Sequence, residues 1–364
     1  MTQHSLGIIS TLDESIRDLT ALIFSADGAS IFTSAFTDDG AVRFSSLSPF
    51  ETSEVHEFPI DGDCATCALR SAIIEFTLRR ATSSPETLLL LPPGVELIHL
   101  VPGLSTELEL IPGAPIKLLG VTHIIDSATA SDDLLGHREL REVNANLFDG
   151  DERCLAEVHM MNLGYADIIL TVGPDNGLGQ ELIEHLRPHD VLLLNGIDKP
   201  LLDEIRKIEH DPADGVDRIH PATTQAWGGP DSHGTWTLDL YSENPFHPER
   251  LRDMVADLAG ENVCARGCFW LPSRPDRICS WEAIGGVVSV GDAGRWSELY
   301  VSEDSAPLSP RCHLIVTGVG NPETCEKIEK AFHAILIDNH DDAYAWVGAD
   351  DGLGEWFGEG REQD

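Results

Sequence analysis

Asn244-Pro245-Phe246-His247-Pro248-Glu249-Arg250-Leu251 opens the part of the chain whose reading decides the fold. Pro248 suits the first turn of a helix, where the missing N–H has no intrahelical acceptor, and Gly260 stands where such a helix should stop. The pattern predicts a helix over Pro248–Leu258. Two further pieces follow, Ala265-Arg266-Gly267-Cys268-Phe269-Trp270-Leu271-Pro272-Ser273-Arg274-Pro275 and Trp281-Glu282-Ala283-Ile284-Gly285-Gly286. Around them, Thr235–Tyr241 alternates as a strand does, and Cys268–Leu271, Gly286–Val290 and His313–Gly318 read as strands. Pro322–Leu336 reads as a second helix. Such an order fits a small α+β domain, residues 236–340, with helices on one face of an antiparallel sheet. Beyond it, 341–364 forms an acidic tail carrying Trp346, Trp356 and Phe357, either flexible or docked through those aromatics.

Moving toward the N-terminus, the pattern becomes strand alternating with helix. Thr20–Phe24, Thr87–Leu91, Ile116–Ile125, Ile168–Val172 and Val191–Leu194 have the length and composition of buried parallel strands. Helices are expected over Cys67–Arg80, Asp151–Tyr165, Leu178–Leu186 and Lys199–Ile208. The alternation predicts an α/β domain over 1–210 with a mainly parallel sheet. Turn-rich Asp211-Pro212-Ala213-Asp214-Gly215 and Trp227-Gly228-Gly229-Pro230-Asp231-Ser232-His233-Gly234 mark 211–235 as a linker.

Charge narrows the partners. Sixty-two acidic residues stand against 24 basic ones, a formal net charge of -38, and five of the basic residues are lysines. Such a surface repels phosphate backbones, so direct nucleic-acid binding is not expected; basic protein surfaces and cations are. No basic residue precedes Arg17 and no apolar run approaches the roughly 18–20 residues that span a bilayer. A cytoplasmic protein is expected, without membrane partners, its eight cysteines reduced.

The quoted C-terminal segments resemble the C-terminal domain of the CobW family, P-loop GTPases associated with delivering metals, chiefly zinc, to client proteins. Weaker likeness runs through 115–200, in Ala156-Glu157-Val158, in Tyr165-Ala166-Asp167-Ile168-Ile169-Leu170 and in His123-Ile124-Ile125-Asp126. The resemblance implies a degenerate P-loop GTPase-like domain of α/β class followed by a smaller α+β CobW C-terminal domain. A P-loop needs G-x-x-x-x-G-K-[ST], glycines to let backbone N–H groups wrap phosphates and a lysine to neutralise them. Here the corresponding place reads Leu6-Gly7-Ile8-Ile9-Ser10-Thr11-Leu12-Asp13-Glu14. No lysine occurs before Lys117, and Asp13 and Glu14 put negative charge where phosphates belong.

Of the family's later nucleotide elements, Glu-x-x-Gly is represented by Leu91-Pro92-Pro93-Gly94, keeping the glycine alone. The guanine-reading N-K-x-D is represented by Asn195-Gly196-Ile197-Asp198, without its lysine. Gly94, Asn195 and Asp198 are therefore nucleotide-binding remnants, and GTP and Mg2+ are not expected as cofactors. No catalytic residue is identified. Asn195 and Asp198 also suit an ordinary turn after a strand.

Cys64-Ala65-Thr66-Cys67 falls where the family carries G-C-x-C-C, its metal-binding signature. Two thiolates so spaced can share one soft divalent ion, so the resemblance makes Cys64 and Cys67 the candidate zinc ligands. The same pair also suits redox chemistry, or burial at a helix start. It supplies half of zinc's tetrahedral shell; Cys154, His99, His123 and His159 lie in the same domain as possible companions, and Arg70 could lower a thiol pKa if close. Cys264 and Cys268 are read as packing residues and His247 as a cap for the following helix.

The leading expectation is a CobW-like pseudo-GTPase in zinc homeostasis, binding or transferring zinc through contact with a client protein. An alternative, implied by P-loop-less members of actinobacterial type, is a non-enzymatic module recruiting a hibernation factor to ribosomes under zinc starvation, through basic ribosomal proteins. A third is a GTPase with an unorthodox phosphate site.

Overall fold

The computed structural model describes residues 3–47, 53–60, 62, 64–112, 116–196, 201–300, 306–338 and 340–358. They fall into two units. One comprises Met1–Asp133, Arg138–Ile183 and Arg187–Arg218; the other comprises Leu134–His137, Glu184–Leu186 and Ile219–Asp364.

The first unit runs β1 (His4–Thr11), α1 (Glu14–Ala26), β2 (Ile31–Phe36), β3 (Ala41–Ser46), β4 (Val55–Pro59), α2 (Ala65–Arg80), β5 (Glu86–Leu90), α3 (Leu97–Glu109), β6 (Ile116–Leu118) and β7 (Thr122–Asp126). It continues through α4 (Ala130–Leu135), α5 (Leu155–Tyr165), β8 (Ile168–Val172), α6 (Leu178–Leu186), β9 (Leu192–Asn195), α7 (Leu201–Lys207) and α8 (Pro212–Ile219). The strands form one sheet in the order β4-β3-β2-β5-β1-β7-β8-β9, with β6 also on β1. Pairings from β2 to β9 are parallel, while β2, β3 and β4 pair antiparallel. Strand β1 lies at the centre, and Leu6, Ile8 and Ile9 are all fully buried, as a parallel strand covered on both faces requires.

This α/β architecture is the one expected, with differences in detail. Thr20–Phe24, read as a strand, lies inside α1. Its buried residues Arg17, Thr20, Ala21 and Phe24 follow helical spacing, and the Asp13 cap starts the helix. A five-residue apolar run cannot by itself separate a buried strand from one face of a helix. The expected strand Ile116–Ile125 is two strands, divided at Leu119-Gly120-Val121. The hairpin strands β2, β3 and β4 were not foreseen. Of the helix expected over Lys199–Ile208, Leu201–Lys207 is α7, and its first two residues lie outside the described ones.

The stretch 211–235, read as a linker, begins with α8, which counts with the first unit up to Arg218. What holds it there is a buried polar cluster. Asp167 accepts hydrogen bonds from the Val121 amide (2.9 Å), from His210 Nδ1 (2.7 Å) and from Arg218 Nη2 (2.9 Å). His210 Nε2 then accepts from the Tyr165 hydroxyl at 3.1 Å. Gly215 lets α8 approach the Tyr165 ring, which a Cβ would meet at 2.8 Å. Burial works against charge on Asp167, but the bonds from His210, Val121 and Arg218 outweigh it and hold the carboxyl below its usual range.

A carboxyl whose folded pKa is depressed gives stability that is present above its unfolded pKa, about 4, and lost as pH falls through the folded value. Asp167→Ala is expected to cost about 1–3 kcal/mol in urea unfolding at neutral pH, because it removes the acceptor of the buried Val121 amide and His210, while Arg218 keeps Asp190 and the Tyr165 carbonyl. That difference from the parent should shrink steadily below about pH 4.

The second unit is built from β10 (Thr235–Ser242), α9 (Pro248–Ala259), β11 (Val263–Phe269), β12 (Arg277–Ile284), β13 (Val287–Arg295), β14 (Cys312–Val319) and α10 (Pro322–Ile335). Its sheet is antiparallel in the order β10-β14-β11-β12-β13. Leu251 and Leu258 of α9 and Ile328 and Phe332 of α10 share a core with Phe246, Phe269 and Trp281. His247 caps α9, its Nδ1 accepting the Arg250 amide, and Pro248 opens that helix as expected. Gly267 has φ +150°, and a Cβ there would lie 2.0 Å from the His313 carbonyl oxygen. Close pairing of β11 with β14 therefore needs glycine at that point. Strand β12, which carries the buried Trp281, was not foreseen.

The tail docks as far as it is described. Leu353 is fully buried, the Arg274 guanidinium lies 4.6 Å from the Phe357 ring centre, and Asp351 pairs with Arg274 at 2.8 Å. Among the described residues no helix is long and apolar enough to cross a membrane.

Candidate functional site

The junction that would hold phosphates is short. Thr11 ends β1 and Glu14 begins α1, leaving Leu12 and Asp13 between them. Asp13 is the N-cap, and its Oδ1 accepts the Ile16 amide at 3.0 Å. A phosphate at a helix start is bound by free backbone N–H groups and the positive end of the helix dipole. Here the chain's own carboxylate takes that position.

Two of the residues read as nucleotide-binding remnants, Gly94 and Asn195, are engaged locally. Gly94 has φ +81°, and a Cβ on it would lie 1.9 Å from the Ala145 carbonyl oxygen, so this glycine serves a backbone crossing. Asn195 ends β9; its Oδ1 accepts the Thr171 hydroxyl (2.7 Å) and the Gln180 side-chain amide (3.0 Å), joining β9 to β8 and α6. Asp198 lies outside the described residues. Gly94→Ala is expected to destabilise the fold by about 2–4 kcal/mol, from positive φ and overpacking together, as read by chemical denaturation.

Cys64 and Cys67 sit at the start of α2, both exposed, with Cα atoms 5.3 Å apart. Cys64 is the N-cap, and the Cys67 amide donates to its sulfur at 3.2 Å. The pair is joined as a disulfide, where free thiols were expected; the short reach across the first helical turn allows it. Arg70 does not serve the thiols: its Nε pairs with Glu107 at 2.8 Å, and its guanidinium lies against Gly103 of α3. The possible companion ligands are also engaged elsewhere. His99 pairs with Glu96, and Cys154 caps α5 with its thiol pushed up to about 11 by burial. Among the described residues no group of three or more histidine, cysteine or acidic side chains is placed to hold a metal ion. Cys264 and Cys268 are buried, as packing residues should be.

His123 and His159 do come together, and with a partner that sequence reading missed. Ser10 Oγ lies 2.8 Å from His123 Nδ1, and His123 Nε2 lies 3.0 Å from His159 Nδ1. All three residues are buried, so both rings stay neutral: desolvation pushes His123 down to about 3 and His159 well below its ordinary value. His159 is a wall of a cavity of about 280 Å³ at the C-terminal ends of β1 and β7, which also touches Asp13, Glu14, Asp126 and Arg138. Periodicity marks His123 only as one more residue of a buried strand, and nothing local links Ser10 to it, 113 positions away.

Residues 236–336 match the family model of the cobalamin synthesis protein cobW C-terminal domain, and the antiparallel unit covers that segment. These residues thus form a domain of the cobW C-terminal type. Over 182 residues it is 26% identical to zinc chaperone Rv0106 of Mycobacterium tuberculosis, covering 50% of this chain and 43% of that protein. An uncharacterized protein, Mb0109 of Mycobacterium bovis, matches to the same extent. The match thus spans less than half the length of these relatives. Two solved structures, a Zn(II)-bound triple mutant of YjiA GTPase and Zn(II)-bound YjiA GTPase from E. coli, align over 93% of this chain and 100% of theirs. Identities are 14% and 13% and TM-scores 0.38 and 0.36, too low to carry an argument about this chain.

Proposed function

We propose that this CobW-family protein works in zinc homeostasis, taking up zinc at Cys64 and Cys67 and exchanging it with a client protein, without hydrolysing GTP. The observation that carries the reading is the exposed pair itself, presented on the first turn of α2 and open to a second protein. An exposed pair that supplies half of a zinc shell suits transfer, because a client can complete the shell and then take the ion. The zinc chaperone of M. tuberculosis supports the metal, and the Asp13-capped junction after β1 supports the absence of a nucleotide switch. Release would then depend on the client's greater affinity.

The disulfide adds a condition. Reducing it takes two electrons and two protons and gives two thiols; zinc then displaces the thiol protons. Uptake should therefore require a reductant. The net charge of -38 favours a client with a basic contact surface.

A zinc titration against a chromophoric chelator tests this on reduced protein, oxidised protein and Cys64→Ser/Cys67→Ser. Tight binding is expected in the reduced parent alone. Equal binding in the double variant would reject the site, and no binding in any form would leave protein recognition as the function. GTP titrated to millimolar levels should give no saturable signal; saturation would restore the GTPase reading.

A further inference from the structure

We propose that the Cys64–Cys67 disulfide is a thiol–disulfide exchange site, passing two electrons between this chain and the dithiol or disulfide of another protein. The step uses the same two residues as the zinc reading, but it needs no metal and does not rest on that reading.

Placement comes first. Cys64 is the N-cap of α2 and Cys67 lies in its first turn, both exposed and joined to one another. The other six cysteines are buried or half-buried, so this pair is where an outside thiol can reach sulfur. Burial also pushes up the thiols of Cys154, Cys268, Cys279 and Cys312, which keeps them protonated and inert. The formal net charge of -38 favours a partner whose cysteines lie among basic residues.

Exchange also requires a fold that accepts both states of the pair. A bridge stabilises more as the loop it closes grows, and Cys64 and Cys67 are only three positions apart. The turn is held without the bridge as well: the Ala68 amide donates to the Cys64 carbonyl at 3.0 Å and the Cys67 amide to the Cys64 sulfur at 3.2 Å. Beyond that turn, the buried side chains of Leu69, Ile73 and Phe76 anchor α2 in its unit. Reduction therefore leaves both sulfurs in the same turn, on Cα atoms 5.3 Å apart, within reach of closing again.

The order of bonds follows from which sulfur is better placed to leave. A partner thiolate attacks Cys67 Sγ, the bond to Cys64 breaks, and its electron pair stays on Cys64 Sγ. That sulfur faces the Cys67 amide at the positive end of α2, and no acidic residue lies in the helix's first turn to oppose the charge. The partner's second thiolate then attacks the partner sulfur of the mixed disulfide and releases Cys67. Two thiol protons of the partner end on Cys64 and Cys67. The partner is oxidised to a disulfide as the pair is reduced to a dithiol, and the reverse sequence reduces a partner's disulfide.

Insulin reduction by dithiothreitol, followed as turbidity with catalytic amounts of the full chain and EDTA present throughout, tests the proposal. A several-fold acceleration is expected, lost in Cys64→Ser and in Cys67→Ser and kept in Cys325→Ser. Cys64→Ser should accumulate a mixed disulfide with insulin through Cys67, for want of the resolving sulfur. Insulin reduced no faster than by dithiothreitol alone would overturn the proposal, as would acceleration that survives either serine variant of the pair. Zinc taken up by the reduced pair in the chelator titration, with no acceleration here, would leave the zinc reading standing and this one rejected. Acceleration without zinc uptake would do the reverse.

Discussion

The hydrogen bond from the Ile16 amide to the Asp13 carboxylate stands where the central strand of the larger sheet gives way to a helix. Crossovers leave β1 and β7 in opposite directions, so whatever fills the space past β1 decides what the unit can bind. A glycine loop with free amides there makes an anion site; a two-residue turn ending in a carboxylate makes the reverse. Glu14, Asp126 and the neutral His159 deepen the same polarity. The reversal of crossovers opens a crevice at the sheet's mouth, and the local electrostatics there repel anions.

Gly94 and Asn195 each have a packing duty of their own. Gly94 permits a backbone crossing against Ala145, and the Asn195 amide ties three elements together. Their presence therefore says little about nucleotide.

Much of the architecture was legible in the sequence where period and punctuation agree. Ile168–Val172 and Leu178–Leu186 were read to the residue, and the Pro248 start of α9 followed from what proline does at a helix's first turn. Thr20–Phe24 misled because a short apolar run fits two geometries, and the decisive cue was the cap at Asp13 rather than the run itself. Strands β2 to β4 and β12 lack a clear apolar run, and their pairing partners lie elsewhere in the chain. The candidate site divides similarly. The Cys64-x-x-Cys67 spacing is visible at once, whereas the Ser10–His123–His159 chain exists only because β1 pairs with β7 and α5 packs nearby. Long-range register has no local signature.

The docked tail separates two boundaries that are easily equated. The matched domain ends at residue 336, yet Leu353 fills the core of that unit and Asp351 neutralises Arg274. A fragment cut at the end of the matched domain would have an opened core and would lose the Arg274–Asp351 pair. The packed unit is therefore longer than the segment by which kinship is recognised, and it includes the turn that carries Trp356 and Phe357.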